Sequence, residues 1–231
     1  MDKTVVIHQP DFLPYLGFFH RLLESDLYVV LDDVQFVGSS RSWHRRDKIK
    51  TKNGWQWITV SVEKTSRDTK IKDVYISKND NWKIKNINLI IENYKNALYF
   101  NEIYPYIKEL YDFQCEKMID FNIKSIEMLM KLFDINIEMN FASKLQANGK
   151  SNELLVDILK KVNGKVYLSG IGARDYYNSE PFEKSNIKVI WQEFNHPIYP
   201  QQYGEFIPYL SSIDLLFNCG IEQSRKILRG K

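Results

Sequence analysis

The sequence predicts an α/β fold: a mainly parallel sheet flanked by helices, with a helical insertion between two β-α-β pieces. Short Val- and Ile-rich runs alternate with an amphipathic stretch over residues 3–31, and the same alternation returns from about residue 136. Between them, apolar residues recur at helical spacing over 82–134. With 231 residues, 44% apolar and 14% aromatic, the chain can bury a large core, so it reads as a single α/β domain over 1–231 with the insertion at 82–134 inside it.

Residues 3–8 (KTVVIH) read as a short buried strand, ended by Pro10. Pro14 suits the first turn of a helix whose apolar stripe is Leu16, Phe19, Leu22 and Leu23. Another buried strand, 27–31 (LYVVL), completes a β-α-β unit. The alternating segment 55–62 (WQWITVSV) predicts a third strand, with 74–77 (VYIS) as a fourth. Helices are expected over about 82–97, 102–114 and 117–133. Then come a strand in 135–141, a helix capped by Ser151 and closed near Gly164, a strand at 165–169, a short helix and a strand in 187–194. One or two helices finish the chain, with Ser211 or Ser212 as N-cap and Gly220 as stop.

The opening shows no charged segment followed by an apolar one, and no apolar run approaches the roughly 18 residues of a membrane span, so a cytoplasmic protein is expected. Cys115 and Cys219 stand in no CxxC or CxxH arrangement, which argues for reduced thiols and against structural zinc. The net charge is only +3, but residues 38–72 carry +7 of it against −4 elsewhere. Those basic residues form one loop rather than a repeated stripe, which points to an anionic small ligand and away from nucleic acid. The apolar helices of 82–133 leave two arrangements open, packing on this chain's own core or on a second copy in a homodimer.

Ligands of parallel sheets collect beyond the carboxyl ends of the strands, which directs attention to His8-Gln9-Pro10 and Asp32-Asp33-Val34-Gln35. An imidazole there can serve as a base near neutral pH, and a carboxylate can orient it, bind a metal or hold a substrate amine. The loop from Ser39 to Arg46 offers hydroxyls, Arg41, Arg45 and Arg46 as forks for phosphate, and Trp43 as a stacking face. Leu168 to Tyr176 leads from a strand end into a helix through Ser169, Gly170 and Gly172, where backbone N–H groups could meet an anion. It lacks the third glycine of a dinucleotide fingerprint and the Lys-Ser/Thr of a P-loop. His196-Pro197 with Tyr199 follows the last strand. Neither His8 nor His196 stands in a zinc-binding set, so no metal site is expected.

Taken together, IHQPDFLPYLGFFHRLLESDLYVVLDDVQF, the SxxxRxxI from Ser42 to Ile49, YLSGIGARDYY and FNHPIYPQQYGEFIPYLSSIDLLFNCG resemble the WbqC-like protein family. Four motifs stand in the family's order from His8 to Gly220. Matched by position are Gln9, Pro10, Leu13, Pro14, Gly17 and Phe18, then Asp32, Asp33, Gln35 and Phe36. Arg46, Ser169, Gly172, Ala173, Asp175, Tyr176, His196, Pro197, Tyr199, Asp214, Asn218 and Gly220 follow. The resemblance implies a bacterial cytoplasmic protein of O-antigen or other surface-glycan synthesis that adds an acyl or aminoacyl group to an amino sugar. A fainter likeness, to the opening of HIGH-type nucleotidyltransferases, lacks their histidine turn, because Tyr15-Leu16-Gly17-Phe18 stands in its place.

The resulting expectation is an N-acyl- or aminoacyltransferase acting on a nucleotide-linked amino sugar in lipopolysaccharide assembly. His8, Asp32 or Asp33 would take the amine proton. Gln9, Gln35, Arg41, Trp43, Arg45, Arg46, Ser169, Gly170, Gly172, Asp175, Tyr176, His196 and Tyr199 would hold the substrate, with the 170–173 turn and the 196–199 segment converging on the strand ends. The cofactor and donor stay open at this point, an acyl-thioester being one such donor. The alternatives are an ATP-Mg-dependent carboxylate-amine ligase or nucleotidyltransferase, and a non-enzymatic nucleotide-sugar-binding protein.

Overall fold

The structure is a computed structural model describing residues 2–38 and 42–231. In chain order its elements are β1 (Thr4–His8), α1 (Leu16–Leu23), β2 (Leu27–Val30), β3 (Arg46–Thr51), β4 (Gly54–Thr59), α2 (Trp82–Tyr94), α3 (Phe100–Asp112), α4 (Met118–Leu132), β5 (Glu138–Phe141), α5 (Ala142–Leu145), α6 (Ser151–Lys161), β6 (Val166–Ser169), α7 (Glu180–Lys184), β7 (Lys188–Trp191) and α8 (Ile213–Leu228). They divide into two compact units. The first comprises Met1–Gln9, His20–Asp33 and Asn136–Asn195; the second comprises Pro10–Phe19, Val34–Ile135 and His196–Lys231. No described helix is long and apolar enough to cross a membrane.

The first unit is built on a five-stranded sheet in the order β5-β2-β1-β6-β7, parallel throughout, which makes the fold α/β. Val5, Val6 and Ile7 are buried in succession, as are all of Leu27–Val30, the pattern of strands covered on both faces. Alternate residues of that set (Val5, Ile7, Leu27 and Val29), with Tyr167 of β6, pack with Val156, Ile158 and Leu159 of α6 and Phe182 of α7. The Phe182 ring stacks on Tyr167 at 5.8 Å. The chain reaches β6 through Gly164, where a Cβ would stand 2.8 Å from Val5 Cγ2, so a close approach requires glycine. The left-handed residue that ends α6 is Asn163 (φ 57°), not the glycine. Ser151 is the first residue of α6 and makes no cap bond; Lys150 holds the cap position.

Successive strands join on one side of β1 up to β5, and then on its other side with β6 and β7, so the order reverses between β1 and β6. β1 pairs with β2 from Val5–Leu27 to His8–Val30, whereas it pairs with β6 only at Thr4–Val166 and Val5–Tyr167. β6 stays paired to β7 as far as Ser169–Trp191. The carboxyl ends of β1 and β6 therefore part at the reversal.

The second unit contains the antiparallel hairpin β3-β4 and helices α2, α3, α4 and α8. The strand expected at 55–62 is β4, but its partner is β3 and not the parallel sheet. β3 reads RDKIKT, with Ile49 its only aliphatic residue, so hydrophobic alternation did not reveal it. Residues 74–77 form isolated bridges, Val62 with Ile76 and Tyr75 with Lys117, rather than a strand. The three helices expected between 82 and 133 are α2, α3 and α4. Trp82, Tyr111 and Phe121 meet edge-on or tilted in their core, and Tyr94 stacks on Phe217 at 4.6 Å. Gly220 does not stop α8 but kinks it at φ 70°, ψ 173°; an added Cβ would lie 2.5 Å from the Tyr99 ring.

A buried carboxylate binds the second unit together. Asp214 accepts hydrogen bonds from Tyr94 Oη (2.7 Å), Tyr199 Oη (3.0 Å) and Gln201 Nε2 (2.9 Å). Lys50 Nζ donates to Gln201 Oε1 and to the Glu205 carbonyl. Burial raises the Asp214 carboxyl above its ordinary 3.8, against the pull of these donors and Lys50, and burial also raises Asp47. An acid raised by folding stabilises the fold when protonated; the contribution is complete below about pH 4 and is lost as pH rises through the raised value. Urea unfolding should therefore show stability from these groups growing as pH falls through their raised values toward the ordinary carboxylate value, and Asp214→Asn should remove part of that slope. Asp214→Ala strands three donors and should cost about 3 kcal/mol.

Candidate functional site

In the first unit the carboxyl ends gather His8, Gln9, Asp32, Asp33, Ser169 and Gly170. His8 is the last residue of the central strand, its carbonyl held by Leu31 N–H at 2.9 Å and Tyr28 Oη at 3.2 Å. Its Nδ1 lies 2.8 Å from the Gln9 carbonyl. A carbonyl can only accept, so Nδ1 carries the proton, which in a neutral imidazole puts the lone pair on Nε2. The Gln9 side-chain amide has no partner among the described residues, and Gln9 is half-buried. Asp32 is 3% exposed, and both its oxygens are taken by Ser143: the backbone N–H at 2.9 Å and Oγ at 2.5 Å. It thus holds the first turn of α5. Asp33 is half-buried beside it in sequence.

Ser169 is buried at the end of β6, its hydroxyl 3.5 Å from Tyr167 Oη. The 3-10 turn Ile171–Tyr176 leaves Asp175 and Tyr176 exposed, and the Ala173 N–H is spent on the Gly170 carbonyl. Gly172 has open space around its missing Cβ, so neither strain nor crowding demands it. Gly170 differs: a Cβ there would stand 2.7 Å from Arg21 Nη1. Arg21, His20 and Gln192 belong to this unit and were not singled out by sequence. Gln192 Nε2 lies 3.2 Å from His20 Nδ1, with the Phe194 ring 5.1 Å from the imidazole. The His20-Arg21 pair near the end of an apolar helix reads in sequence as a solvated terminus. The only signal was its place inside the first β-α-β unit.

In the second unit Trp43, Arg45 and Arg46 come together on the hairpin. Arg46 lies 4.0 Å over the Trp57 ring, Trp43 is 5.7 Å from Trp57, and Lys48 lies over Trp43 and Trp55. Burial and the neighbouring Arg46 both lower Arg45, and neither guanidinium has a carboxylate partner among the described residues. Ser42 Oγ, Arg45 Nε and Arg46 Nε are buried without a hydrogen bond. That arrangement suits an oxyanion beside a planar ring. Arg41 lies outside the described residues.

The remaining second-unit residues have internal duties. Gln35 donates to the Arg67 carbonyl at 2.8 Å. Tyr199 is 4% exposed with its hydroxyl on Asp214. His196 directs Nδ1 at the Pro197 carbonyl among Tyr199, Phe206 and Tyr209, and burial lowers its pKa.

The WbqC-like protein family matches residues 9–226, nearly the whole chain. The chain belongs to that family. It is also 31% identical over 224 residues to the uncharacterized protein Rv1507c of Mycobacterium tuberculosis, covering 95% of each chain. No solved structure matches it.

In this WbqC-like protein the Asp32–Ser143 contact can be measured directly. Asp32→Asn and Ser143→Ala should each lower unfolding free energy by about 1–2 kcal/mol. A double-mutant cycle should show the losses to be strongly non-additive, whereas additive losses would dissociate the two residues.

Proposed function

We propose that this WbqC-like protein is an enzyme that forms an amide on the amino group of a nucleotide-linked sugar, in the synthesis of a surface glycan. The observation that carries the reading is His8: an imidazole at the carboxyl end of the central strand, beside a topological reversal, with its Nδ1–H tied to Gln9. Ligands of open parallel sheets bind at such reversals. An amine must be neutral to attack, and a base near neutral pH must take up its proton.

In the reaction the sugar nitrogen attacks the acyl carbonyl of a thioester. The C–N bond forms as the C–S bond breaks, the amine proton passes to His8 Nε2, and the thiolate leaves and takes up a proton. Gln9 supplies an uncommitted amide for the substrate. Asp32, engaged by Ser143, would keep the shape of the strand end rather than take the amine proton. Within the second unit, Arg45, Arg46 and Trp43 offer cations and a ring of the kind that phosphate and base recognition use.

Purified protein incubated with uridine- or thymidine-diphospho amino sugars and acyl-thioesters should release free thiol and an N-acylated sugar. His8→Ala should lower kcat by about 10²-fold with the fold intact, and the acid limb of the wild-type pH–rate profile should disappear in the variant. Unchanged turnover in His8→Ala would remove His8 from the reaction. Pyrophosphate exchange into ATP would favour a ligase, and binding of the nucleotide-sugar without turnover would favour a recognition protein.

A further inference from the structure

Arg21 stands in the last turn of α1 and is 5% exposed. A cation in a last helical turn is ordinarily explained by the helix dipole and extends into water. Here the side chain turns inward instead. Nη1 lies against Gly170, the residue that follows β6, closely enough that a Cβ would stand 2.7 Å away. Tyr167 of β6 also feels the guanidinium charge. No carboxylate pairs with Arg21 and none of its nitrogens makes a hydrogen bond among the described residues. Nε alone of the three is sealed from solvent without a partner.

A buried cation that lacks both an acid and hydrogen-bond acceptors is costly to the empty protein, and an arriving oxyanion would relieve that cost. The position matters as much as the charge. Gly170 flanks the point where β1 and β6 stop pairing, the place where a parallel sheet receives its ligand. A guanidinium presents paired N–H groups that match two oxygens of one phosphate, and glycine is the residue that leaves room for the fork.

We infer that Arg21 is the anion-holding residue of the opening between β1 and β6, and that it takes a phosphate group of the substrate. The inference rests on reading that opening as the substrate site, and it adds a binding residue to it.

The test measures binding of inorganic pyrophosphate by calorimetry and by thermal shift at constant ionic strength, with acetate as the control anion. Wild-type protein should bind pyrophosphate and melt at a higher temperature in its presence. Arg21→Met, which removes the charge and keeps the length, should leave the ligand-free melting temperature unchanged or raised, and weaken pyrophosphate binding about 10- to 100-fold. Gly170→Ala crowds the guanidinium without removing it and should weaken binding in the same direction, so it decides the matter if Arg21→Met fails to fold. Undiminished pyrophosphate binding in the folded variants would overturn the assignment. So would equal, Arg21-dependent binding of acetate, which would make the ligand a carboxylate. The transferase reading fails separately: Arg21-dependent pyrophosphate binding with no turnover of any amino sugar sinks that reading alone, and turnover indifferent to Arg21 sinks this one alone.

Discussion

The two sides of β1 are paired to different extents, and the first unit depends on that inequality. A central strand of a parallel sheet must satisfy its N–H and C=O groups on both edges. Here β2 covers the edge through His8, while β6 covers only Thr4 and Val5. Other partners take up what the ladder leaves. The His8 carbonyl is held by Leu31 and Tyr28, and the Ser169 carbonyl by the Gln192 N–H. The opening at the reversal of strand order is thus a consequence of pairing, with its walls hydrogen-bonded elsewhere. That is how a rigid sheet presents His8 and Gly170 at fixed positions.

Two buried acids and three arginines differ in the partners folding gives them. Asp32 sits in the embrace of Ser143, and Asp214 accepts from two tyrosines and a glutamine. Donors offset part of the cost of burying these acids, although at Asp214 burial still outweighs them. Arg21, Arg45 and Arg46 have no such company among the described residues, while the ion pairs recorded there fall mainly on exposed lysines at the surface. The contrast between acids with donors and guanidiniums without acceptors among the described residues recurs in both units. The two sets differ in surroundings. Arg21 is set against backbone at a strand end, whereas Arg46 lies on an indole, where a second ring or a phosphate can join it.

The parallel strands and the helices of 82–133 were legible in the sequence because burial on both faces leaves continuous Val and Ile runs, and burial on one face leaves a 3.6-residue period. His8, Gln9, Asp32 and Asp33 could be placed at strand ends by counting along those runs. β3 was not legible, since RDKIKT sets one isoleucine among charged residues and a threonine and has no apolar alternation. The same limit applied to Ser151, Gly164 and Gly220. Their residue types fit cap and stop positions, but the backbone instead uses Lys150, Asn163 and a kink, because neighbouring segments determine what space and φ remain.

By itself, then, the chain determined the α/β class, the family and the residues at the ends of the first two strands, all of which follow from local pattern and motif order. Only the tertiary structure decided the roles at those positions. Asp32 and Tyr199 are taken up by Ser143 and Asp214, partners 111 residues and 15 residues away along the chain. Arg21, which looked like a solvated helix end, is left buried against Gly170 with no acid paired to it among the described residues. Whether a polar side chain is occupied or available depends on partners brought close by folding, and sequence spacing carries no record of them.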